Sequence, residues 1–245
     1  GKGMKPARTN LILEPMKGSS ALVLVVEDER DIATILENFL KKQGYRTERA
    51  ADGESALTLF RACNPDLVLL DVMLPKKDGI EVLKAIRREK QTPVIMLTAR
   101  TEEIDKLLGL ELGADDYVSK PFRPMEVMAR VKAVLRRTYA NAPVTEQVFR
   151  VGKVELDPLQ TTVRVSGMSL ELTASEFKLL QHFMTYPGRT FSRADLLEAT
   201  MPDSNALERV VDVHIANLRR KLSDVEPGEF IQTIRGIGFR LKPQV

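Results

Sequence analysis

Short apolar runs alternate with amphipathic stretches across residues 21–138. The runs are rich in Val, Leu and Ile, as in ALVLVV at 21–26 and LVLL at 67–70. Runs of this kind are typical of buried parallel strands. Stretches with helical spacing separate or follow these runs, and they cover 31–43, 54–63, 79–89, 104–112 and 124–137. The strict alternation predicts an α/β domain with a five-stranded, doubly wound parallel sheet of the flavodoxin-like kind.

The pattern changes in the second half of the chain. Apolar and polar residues alternate at every second position between 147 and 173, which predicts an antiparallel meander. Helical periodicity returns over 173–186, 192–200 and 206–223, and FIQTIRGIGFRL at the end predicts a hairpin. Capping boxes are expected at Thr173–Glu176 and Ser192–Asp195. These features predict a separate α+β domain.

The two patterns divide the 245 residues into two domains. The first covers 21–138 and the second 146–245, and a short linker at 139–145 joins them. Residues 1–20 are expected to be a disordered tail. The net charge of +3 equals the excess in this tail, which has four basic residues and one acidic residue. The total charge is therefore no argument for nucleic-acid binding.

Cysteine content and hydropathy restrict the location of the chain. Cys63 is the single cysteine, which excludes an intrachain disulfide and favours a reducing compartment. The longest uninterrupted apolar run has six residues, far fewer than a membrane span or a signal peptide needs. We therefore expect a cytoplasmic protein with no membrane partner.

Polar side chains of matching chemistry follow the predicted strands of the first domain. They are Glu27, Asp28, Asp71, Thr98 and Lys120. Carboxyl ends of parallel strands share one sheet edge, so these side chains should converge. Two carboxylates ~4 Å apart repel by roughly 4 kcal/mol at an effective dielectric near 20, so such a pair shares a proton or binds a cation. The sequence predicts a Mg²⁺ site where Lys120 pairs with phosphate oxygens and Thr98 donates a hydrogen bond.

Residues 21–138 resemble the receiver domain of response regulators. The resemblance rests on Glu27, Asp28, Asp71, Thr98, Tyr117 and the pair Lys120-Pro121. It implies that Asp71 accepts a phosphoryl group from a sensor histidine kinase, with at most slow self-dephosphorylation. It also implies Mg²⁺ ligands at Asp28, Asp71 and the backbone carbonyl of Met73, with Glu27 acting directly or through water. Lys120 would contact the phosphoryl group and precede a cis bond to Pro121. A carboxylate nucleophile beside a metal suits this chemistry.

The same resemblance implies a switch and a dimer surface. Phosphorylation adds charge and acceptor oxygens, so Thr98 would move to bond one of them and Tyr117 would rotate inward. The dimer surface would lie on the predicted helices 104–112 and 124–137 and the strand near Asp116. Its charged positions are Lys106, Asp115, Asp116, Glu126, Arg130 and Arg137, and its apolar patch is Leu107, Leu110 and Ala129.

The predicted helix 206–223 has two contrasting sides. Val211, Ile215, Leu218 and Leu222 follow the spacing of a buried stripe. The other side carries basic and amide side chains, as in the recognition helix of a helix-turn-helix variant. The hairpin that follows would bring Arg235 to a minor groove.

Residues 146–245 are similar to the winged-helix effector of the OmpR/PhoB subfamily. The segments that carry the similarity are LTASEFKLL, PGRTFSR, RVVDVHIANLRRKL and TIRGIGFRL. The similarity implies binding to double-stranded promoter DNA as a homodimer formed on phosphorylation, with loop 200–206 facing RNA polymerase. The implied DNA contacts are Arg209, Val213, His214, Asn217, Arg219, Arg220 and Arg235. Asn217 would favour adenine.

The sequence departs from these relatives at two positions of the same helix. Val210 stands where many of them carry Thr, and Ala216 where many carry a basic or hydroxyl residue. Both changes remove hydrogen bonds, so we expect weak affinity for a single half-site and more dependence on dimerisation. The segments TEEIDKLLGLELGADDY and NALERVVDVH also resemble regulators of envelope stress and drug efflux.

Two other functions are compatible with parts of the pattern. An aspartyl-phosphate hydrolase also uses Asp and Mg²⁺, but that class typically has a second acid two residues after the nucleophile, where this chain has Met73. A constitutive DNA-binding protein with a vestigial receiver would not need the intact acidic set. The sequence therefore favours a phosphorylation-switched transcription regulator over an enzyme.

Overall fold

The first half of the computed structural model is a parallel sheet between two layers of helices. Residues 20–99, 107, 112–138, 147–200 and 208–243 are described. The strands are β1 (Leu22–Val26), β2 (Arg46–Ala50), β3 (Leu67–Asp71), β4 (Val94–Thr98) and β5 (Asp116–Ser119). The helices are α1 (Arg30–Lys42), α2 (Gly53–Cys63), α3 (Gly79–Glu89) and α4 (Pro124–Thr138). The strand order is β2-β1-β3-β4-β5, with every pairing parallel.

Burial explains why this sequence forms these elements. Every residue of β1, β3 and β4 is buried, so these strands are continuous apolar runs rather than alternating ones. Two helices begin at caps that the sequence supplies. Asp52 accepts a hydrogen bond from the Ser55 backbone N–H at 2.8 Å, and Asp78 accepts one from Glu81 N–H at 2.9 Å. The five-stranded, doubly wound sheet that the alternation predicts is confirmed.

The second half combines antiparallel strands with three helices. Its four-stranded sheet contains β6 (Phe149–Val151), β7 (Val154–Asp157), β8 (Thr162–Val165) and β9 (Met168–Leu170) in that order. Then come α5 (Ala174–Thr185), α6 (Arg193–Thr200) and α7 (Arg209–Val225), and the hairpin of β10 (Ile231–Ile234) and β11 (Gly238–Leu241). The capping box of Thr173 and Glu176 is present, and Ser192 and Asp195 exchange backbone-to-side-chain hydrogen bonds.

Two apolar clusters cover the faces of the parallel sheet and a third fills the C-terminal half. The third contains Val211, Ile215, Leu218 and Leu222, so the predicted stripe of α7 is buried. One cluster of the first half also contains Val210 and Val213 from α7. The two halves are therefore packed together through that helix.

Some expectations lie outside the described residues. These are the tail 1–20 apart from Ser20, the linker 139–145, most of the predicted helix 104–112, and loop 200–206 after Thr200. Among the described helices, none combines the length and the apolar character that a bilayer span requires.

Candidate functional site

The predicted polar side chains come together at the carboxyl edge of the parallel sheet. Glu27 and Asp28 follow β1 directly, Asp71 ends β3, and Thr98 ends β4. Lys120 follows β5 and precedes a cis bond to Pro121, as expected. The edge forms because parallel strands place all their carboxyl ends on one side.

Lys120 joins two buried carboxylates in this site. Its Nζ atom lies 2.7 Å from Asp71 Oδ2 and 3.1 and 3.2 Å from the two oxygens of Glu27. The side chain of Lys120 is 17% exposed, whereas those of Glu27 and Asp71 are 0% and 4% exposed. Burial at this depth strengthens each charge interaction, because little water remains to screen it.

The site has a strained balance of charge. Burial, together with the hydrogen bond and negative charge of Asp71, raises the pKa of Glu27 to about 8, even though Lys120 acts to lower it. Burial acts to lower the pKa of Lys120, but the two carboxylates outweigh it and the pKa is raised. The ammonium group of Lys120 is therefore shared by the carboxylates of Glu27 and Asp71, with Asp28 close by.

The donor set fits a hard divalent cation. Glu27, Asp28 and Asp71 each offer a carboxylate oxygen, and these oxygens lie within 4.8 Å of one another. Asp28 is exposed, which leaves solvent access on one side of the group. Magnesium prefers such oxygen ligands and keeps several waters. The backbone N–H of Met73 donates to Asp71 Oδ1 at 2.9 Å, so the residue whose carbonyl is the predicted ligand lies beside this carboxylate.

A glycine that the sequence reasoning missed shapes this site. A Cβ on Gly79, the first residue of α3, would lie 2.1 Å from the backbone oxygen of Asp71. The helix can approach the end of β3 this closely only because no side chain intervenes. The signal in the sequence is the Asp78-Gly79 pair at a helix start, which alone indicates only a cap.

The two predicted switch residues, Thr98 and Tyr117, are both buried. Thr98 is 0% exposed and Tyr117 is 4% exposed. Burial raises the pKa of the Tyr117 hydroxyl. Tyr117 thus already points inward in this structure, whereas the resemblance implies that inward rotation follows phosphorylation. The rotation remains a prediction.

Several residues of the predicted dimer surface form contacts within the chain. Arg130 donates to Asp116 at 3.0 Å and to Glu126 at 3.2 Å. Asp115 is fully buried and accepts a hydrogen bond from Arg87 at 3.3 Å. Of the apolar patch, Ala129 is exposed and Leu107 is buried. Lys106, Leu110 and the side chain of Arg137 lie outside the described residues.

The predicted DNA contacts divide into exposed and covered groups. Arg209, Arg220 and Arg235 are exposed. Val213, His214 and Asn217 are only 4%, 1% and 1% exposed. These three were expected to face base edges, but in this structure the first half of the chain lies against their side of α7, so the expectation remains a prediction.

Arg219 braces the hairpin against α7. Its Nε donates to the Ile231 carbonyl at 3.0 Å and its NH2 donates to Thr233 Oγ1 at 2.7 Å. The guanidinium also stacks over the Phe239 ring, 5.4 Å from its centroid. These contacts hold the hairpin against α7. The predicted contact of Arg219 with DNA remains a prediction.

Comparisons with known proteins match both halves. A family model for the response regulator receiver domain matches residues 23–132, and one for the C-terminal part of transcriptional regulatory proteins matches 167–241. The alkaline phosphatase synthesis transcriptional regulatory protein PhoP of Bacillus subtilis is 45% identical over 230 residues, covering 90% of this chain and 96% of that protein. The transcriptional regulatory protein CpxR of Escherichia coli K12 is 42% identical over 224 residues, covering 89% and 96%.

A solved structure resembles the whole two-domain arrangement. A cysteine-to-aspartate mutant of the protein RitR matches with a TM-score of 0.71 and 28% identity, covering 91% of this chain and 99% of that one. Together with the acidic edge, these matches decide the family. The chain belongs to the OmpR/PhoB-type response regulators and is a phosphorylation-dependent transcription regulator of a two-component system.

Proposed function

We propose that Asp71 is the phosphoacceptor of this regulator and that Lys120 binds the transferred group. The observation that supports this is the contact of Lys120 Nζ with Asp71 Oδ2 at 2.7 Å inside a buried acidic site. An incoming phosphoryl group brings anionic oxygens for which Lys120 is a ready partner. The lysine therefore exchanges its contact with a carboxylate for one with a phosphoryl oxygen.

Glu27, Asp28 and Asp71 hold Mg²⁺ in this proposal, with the Met73 carbonyl as a further ligand. When bound, the ion neutralises the charge of the transferring group. Asp71 supplies the carboxylate nucleophile, and Glu27 and Asp28 position the cation beside it. Thr98 at the end of β4 lies at the same edge, where its hydroxyl can donate to a phosphoryl oxygen. Self-dephosphorylation is slow because the chain offers no second acid two residues after Asp71.

An apolar hollow beside the site supports a protein phosphodonor. It lies between α1 and residues 120–124, and Ile32, Ile35 and Phe122 line it next to Lys120. Ile35 is 44% exposed although it is large and apolar. Exposed apolar surface next to a reactive group favours docking of a partner, and a sensor histidine kinase is the partner that supplies the phosphoryl group.

The second domain reads promoter DNA in this proposal. Helix α7 enters a major groove, Arg209, Arg219 and Arg220 contact phosphates or base edges, and Arg235 at the hairpin tip reaches a minor groove. Val213, His214 and Asn217 meet base edges once α7 is uncovered. Phosphorylation promotes a homodimer through the surface on residues 104–112, β5 and α4, which lets two copies read a repeated site. The regulator acts in the cytoplasm and contacts RNA polymerase.

One experiment tests the core of this proposal. The full chain is incubated with Mg²⁺ and the small phosphodonor acetyl phosphate, and incorporation is followed by intact mass. The same protein carrying the phosphoryl mimic beryllofluoride is used to select bound duplexes from a random pool. The wild type should gain one phosphoryl group and enrich a repeated sequence.

Asp71→Ala should do neither. Glu48→Gln, which alters an exposed carboxylate on edge strand β2, serves as the matched control and should behave as the wild type. Incorporation into Asp71→Ala at the wild-type rate would rule out the assignment of Asp71.

A further inference from the structure

The tip of the C-terminal hairpin presents a large apolar side chain to solvent. Ile237 is 61% exposed, and its neighbours at the tip, Arg235 and Gly236, are exposed as well. A single exposed aliphatic residue is common on protein surfaces and by itself indicates nothing. Ile237 differs because it lies two residues from Arg235, which the proposed function brings to a minor groove, and because the hairpin that carries both is held firmly in place.

The backbone of the tip has a defined conformation. The N–H of Ile237 donates to the Ile234 carbonyl at 3.0 Å, which closes a β-turn over residues 234–237. Gly236 is the third residue of this turn and has a φ of 75°, the left-handed value that type II turns need and that a side chain would oppose. The turn therefore fixes where Arg235 and Ile237 leave the backbone on either side of Gly236.

The strands of the hairpin are tied to each other and to the rest of the domain. Phe191, outside the hairpin, and Phe239 of β11 exchange backbone hydrogen bonds of 2.8 and 2.9 Å. Gln232 and Arg240 lie opposite each other on β10 and β11, and Arg240 Nε donates to Gln232 Oε1 at 2.9 Å. The tip is therefore carried on a well-supported base.

The hairpin also has a fixed place relative to the proposed recognition helix. Besides the hydrogen bonds of Arg219 to β10, the guanidinium groups of Arg219 and of Arg193 on α6 lie over the ring of Phe239, 5.4 and 5.1 Å from its centroid. With α7 in a major groove, the tip meets the DNA at a set distance from the bases that α7 contacts. A side chain presented in this way loses little conformational freedom on binding.

The chemistry of Ile237 suits insertion between stacked bases. The side chain is aliphatic and branched at Cβ, so its χ1 rotation is already restricted before any contact forms. Minor-groove proteins insert apolar side chains such as isoleucine between base steps, and these wedges bend the duplex by roughly 20–90°. The neighbouring Arg235 supplies the cation that a narrow minor groove attracts. Cation and wedge thus stand together on one turn.

Building on the proposed contact of Arg235 with a minor groove, we propose that Ile237 is an apolar wedge that inserts between two base pairs beside Arg235 and bends the DNA. Arg235 binds the groove through its charge, whereas Ile237 makes binding depend on how easily a base step opens. Pyrimidine–purine steps such as TA and CA unstack most easily. The recognised duplex therefore carries such a step where the tip meets it. Ile237 is a specificity-determining residue although it forms no hydrogen bond to a base.

Measuring the bend distinguishes a wedge from a simple surface contact. The full chain with beryllofluoride and Mg²⁺ is bound to the selected duplex, which carries donor and acceptor dyes at its ends, and energy transfer reports the bend. Ile237→Ala should weaken binding about tenfold and lose most of the bend, whereas Ile237→Leu should retain both. Leu159→Ala is the matched control. Leu159 is 62% exposed in the same domain, away from the hairpin, so this variant should behave as the wild type.

The choice of base step provides a second measurement. Each pyrimidine–purine step of the selected duplex is exchanged in turn for a purine–pyrimidine step, which opens less readily. At the step that meets the tip, the exchange should weaken binding of the wild type about tenfold, but Ile237→Ala should bind both duplexes alike. Salt dependence separates the two tip residues. Arg235→Ala should reduce the slope of log affinity against log salt concentration by about one, and Ile237→Ala should leave it unchanged.

The outcomes separate the wedge from the proposed function. Bending by Ile237→Ala equal to that by the wild type would overturn the wedge and leave the proposed function intact. A straight duplex in the wild-type complex, or equal sensitivity of both proteins to every base step, would do the same. If the wild type with beryllofluoride binds no duplex, the proposed function fails and the wedge fails with it.

Discussion

Buried polar groups are paired at the proposed phosphoacceptor site, whereas the Asn217 amide on the proposed recognition helix is unpaired among the described residues. At the sheet edge, the buried carboxylates of Glu27 and Asp71 share the ammonium of Lys120. On α7, the buried amide of Asn217 has no hydrogen-bond partner within the described part of the chain. The first site is assembled by the fold and waits for a small ligand. The second is buried against the receiver without a partner among the described residues, although the proposed function assigns it a contact with DNA.

Among the substitutions predicted to alter these two sites, removal of the Lys120 ammonium should have the largest effect on the free energy of unfolding. Lys120→Met deletes the cation and leaves Glu27 and Asp71 facing each other, so the free energy of unfolding in Mg²⁺-free buffer should fall by about 3 kcal/mol. Urea denaturation measures the change. Lys84→Met, at an exposed position of α3, is the control and should lose little. Equal stability of the two variants would show that the lysine does not hold the acidic pair.

Adding Mg²⁺ should stabilise the folded state through the acidic site at the sheet edge. Mg²⁺ at roughly ten times its Kd should raise the free energy of unfolding of the wild type by about 1.4 kcal/mol, because it binds only the folded state. Asp28→Asn should lose most of this gain, since it removes one of the clustered oxygens. Asp31→Asn, an exposed carboxylate in the first turn of α1, should keep it. An identical Mg²⁺ response in both variants would contradict the ligand assignment.

Replacing the amide of Asn217 should separate stability from DNA binding. Asn217→Leu removes the buried donor and acceptor at similar volume, so the free energy of unfolding should rise by about 1 kcal/mol. Affinity for the selected duplex should fall, by about 1 kcal/mol or more if the amide contacts adenine. Ser223→Ala, at an exposed position of the same helix, should change neither quantity appreciably. A loss of stability in Asn217→Leu would mean that the amide has hydrogen-bond partners in the folded chain.

The smallest effect is expected at His182 of the effector. Burial lowers the pKa of this histidine, and the nearby charge of Arg189 lowers it further; its ring lies 4.5 Å from that of Phe191. The folded state therefore binds its proton less tightly than the unfolded state. The neutral ring therefore stabilises the folded state at pH values above 6.5, the ordinary pKa of histidine. This contribution is lost as the pH falls through the lower pKa of the folded state.

His182→Gln should consequently flatten the dependence of unfolding free energy on pH below about neutrality. Denaturation at several pH values from acid to neutral measures the slope for both chains. Parallel slopes in the variant and the wild type would show that the ring titrates alike in folded and unfolded chains.

The polar site at the sheet edge could be predicted because each of its residues is marked by the sequence immediately before it. Asp71, Thr98 and Lys120 each follow a short apolar run, and parallel strands bring such positions together without further knowledge. Helix caps could be predicted for the same reason. Thr173 and Glu176, for example, lie three residues apart and form one capping box. The closeness of Gly79 to Asp71 was missed because a glycine after an acid is equally typical of a plain helix start.

The covered side of α7 was not open to prediction. The sequence separates the stripe that contains Val211 and Ile215 from the side that contains Val213 and Asn217, and the structure confirms that the stripe is core. Nothing in the spacing shows that the second side also meets a protein surface, since the contact of Asp115 with Ser175 joins residues 60 positions apart. Such a contact depends on how two finished domains fit together.

The packing of α7 onto the receiver also has a consequence for how strongly the two domains must attract each other. Only eight residues, 139–146, separate the last residue of α4 from Gln147. A tether this short keeps the partners at an effective concentration in the millimolar range. Surfaces with millimolar affinity would therefore stay together much of the time inside one molecule, yet the same surfaces on separate chains would scarcely meet at cellular concentrations. Cutting the chain between the two domains would therefore separate α7 from the receiver even if every contact residue were intact.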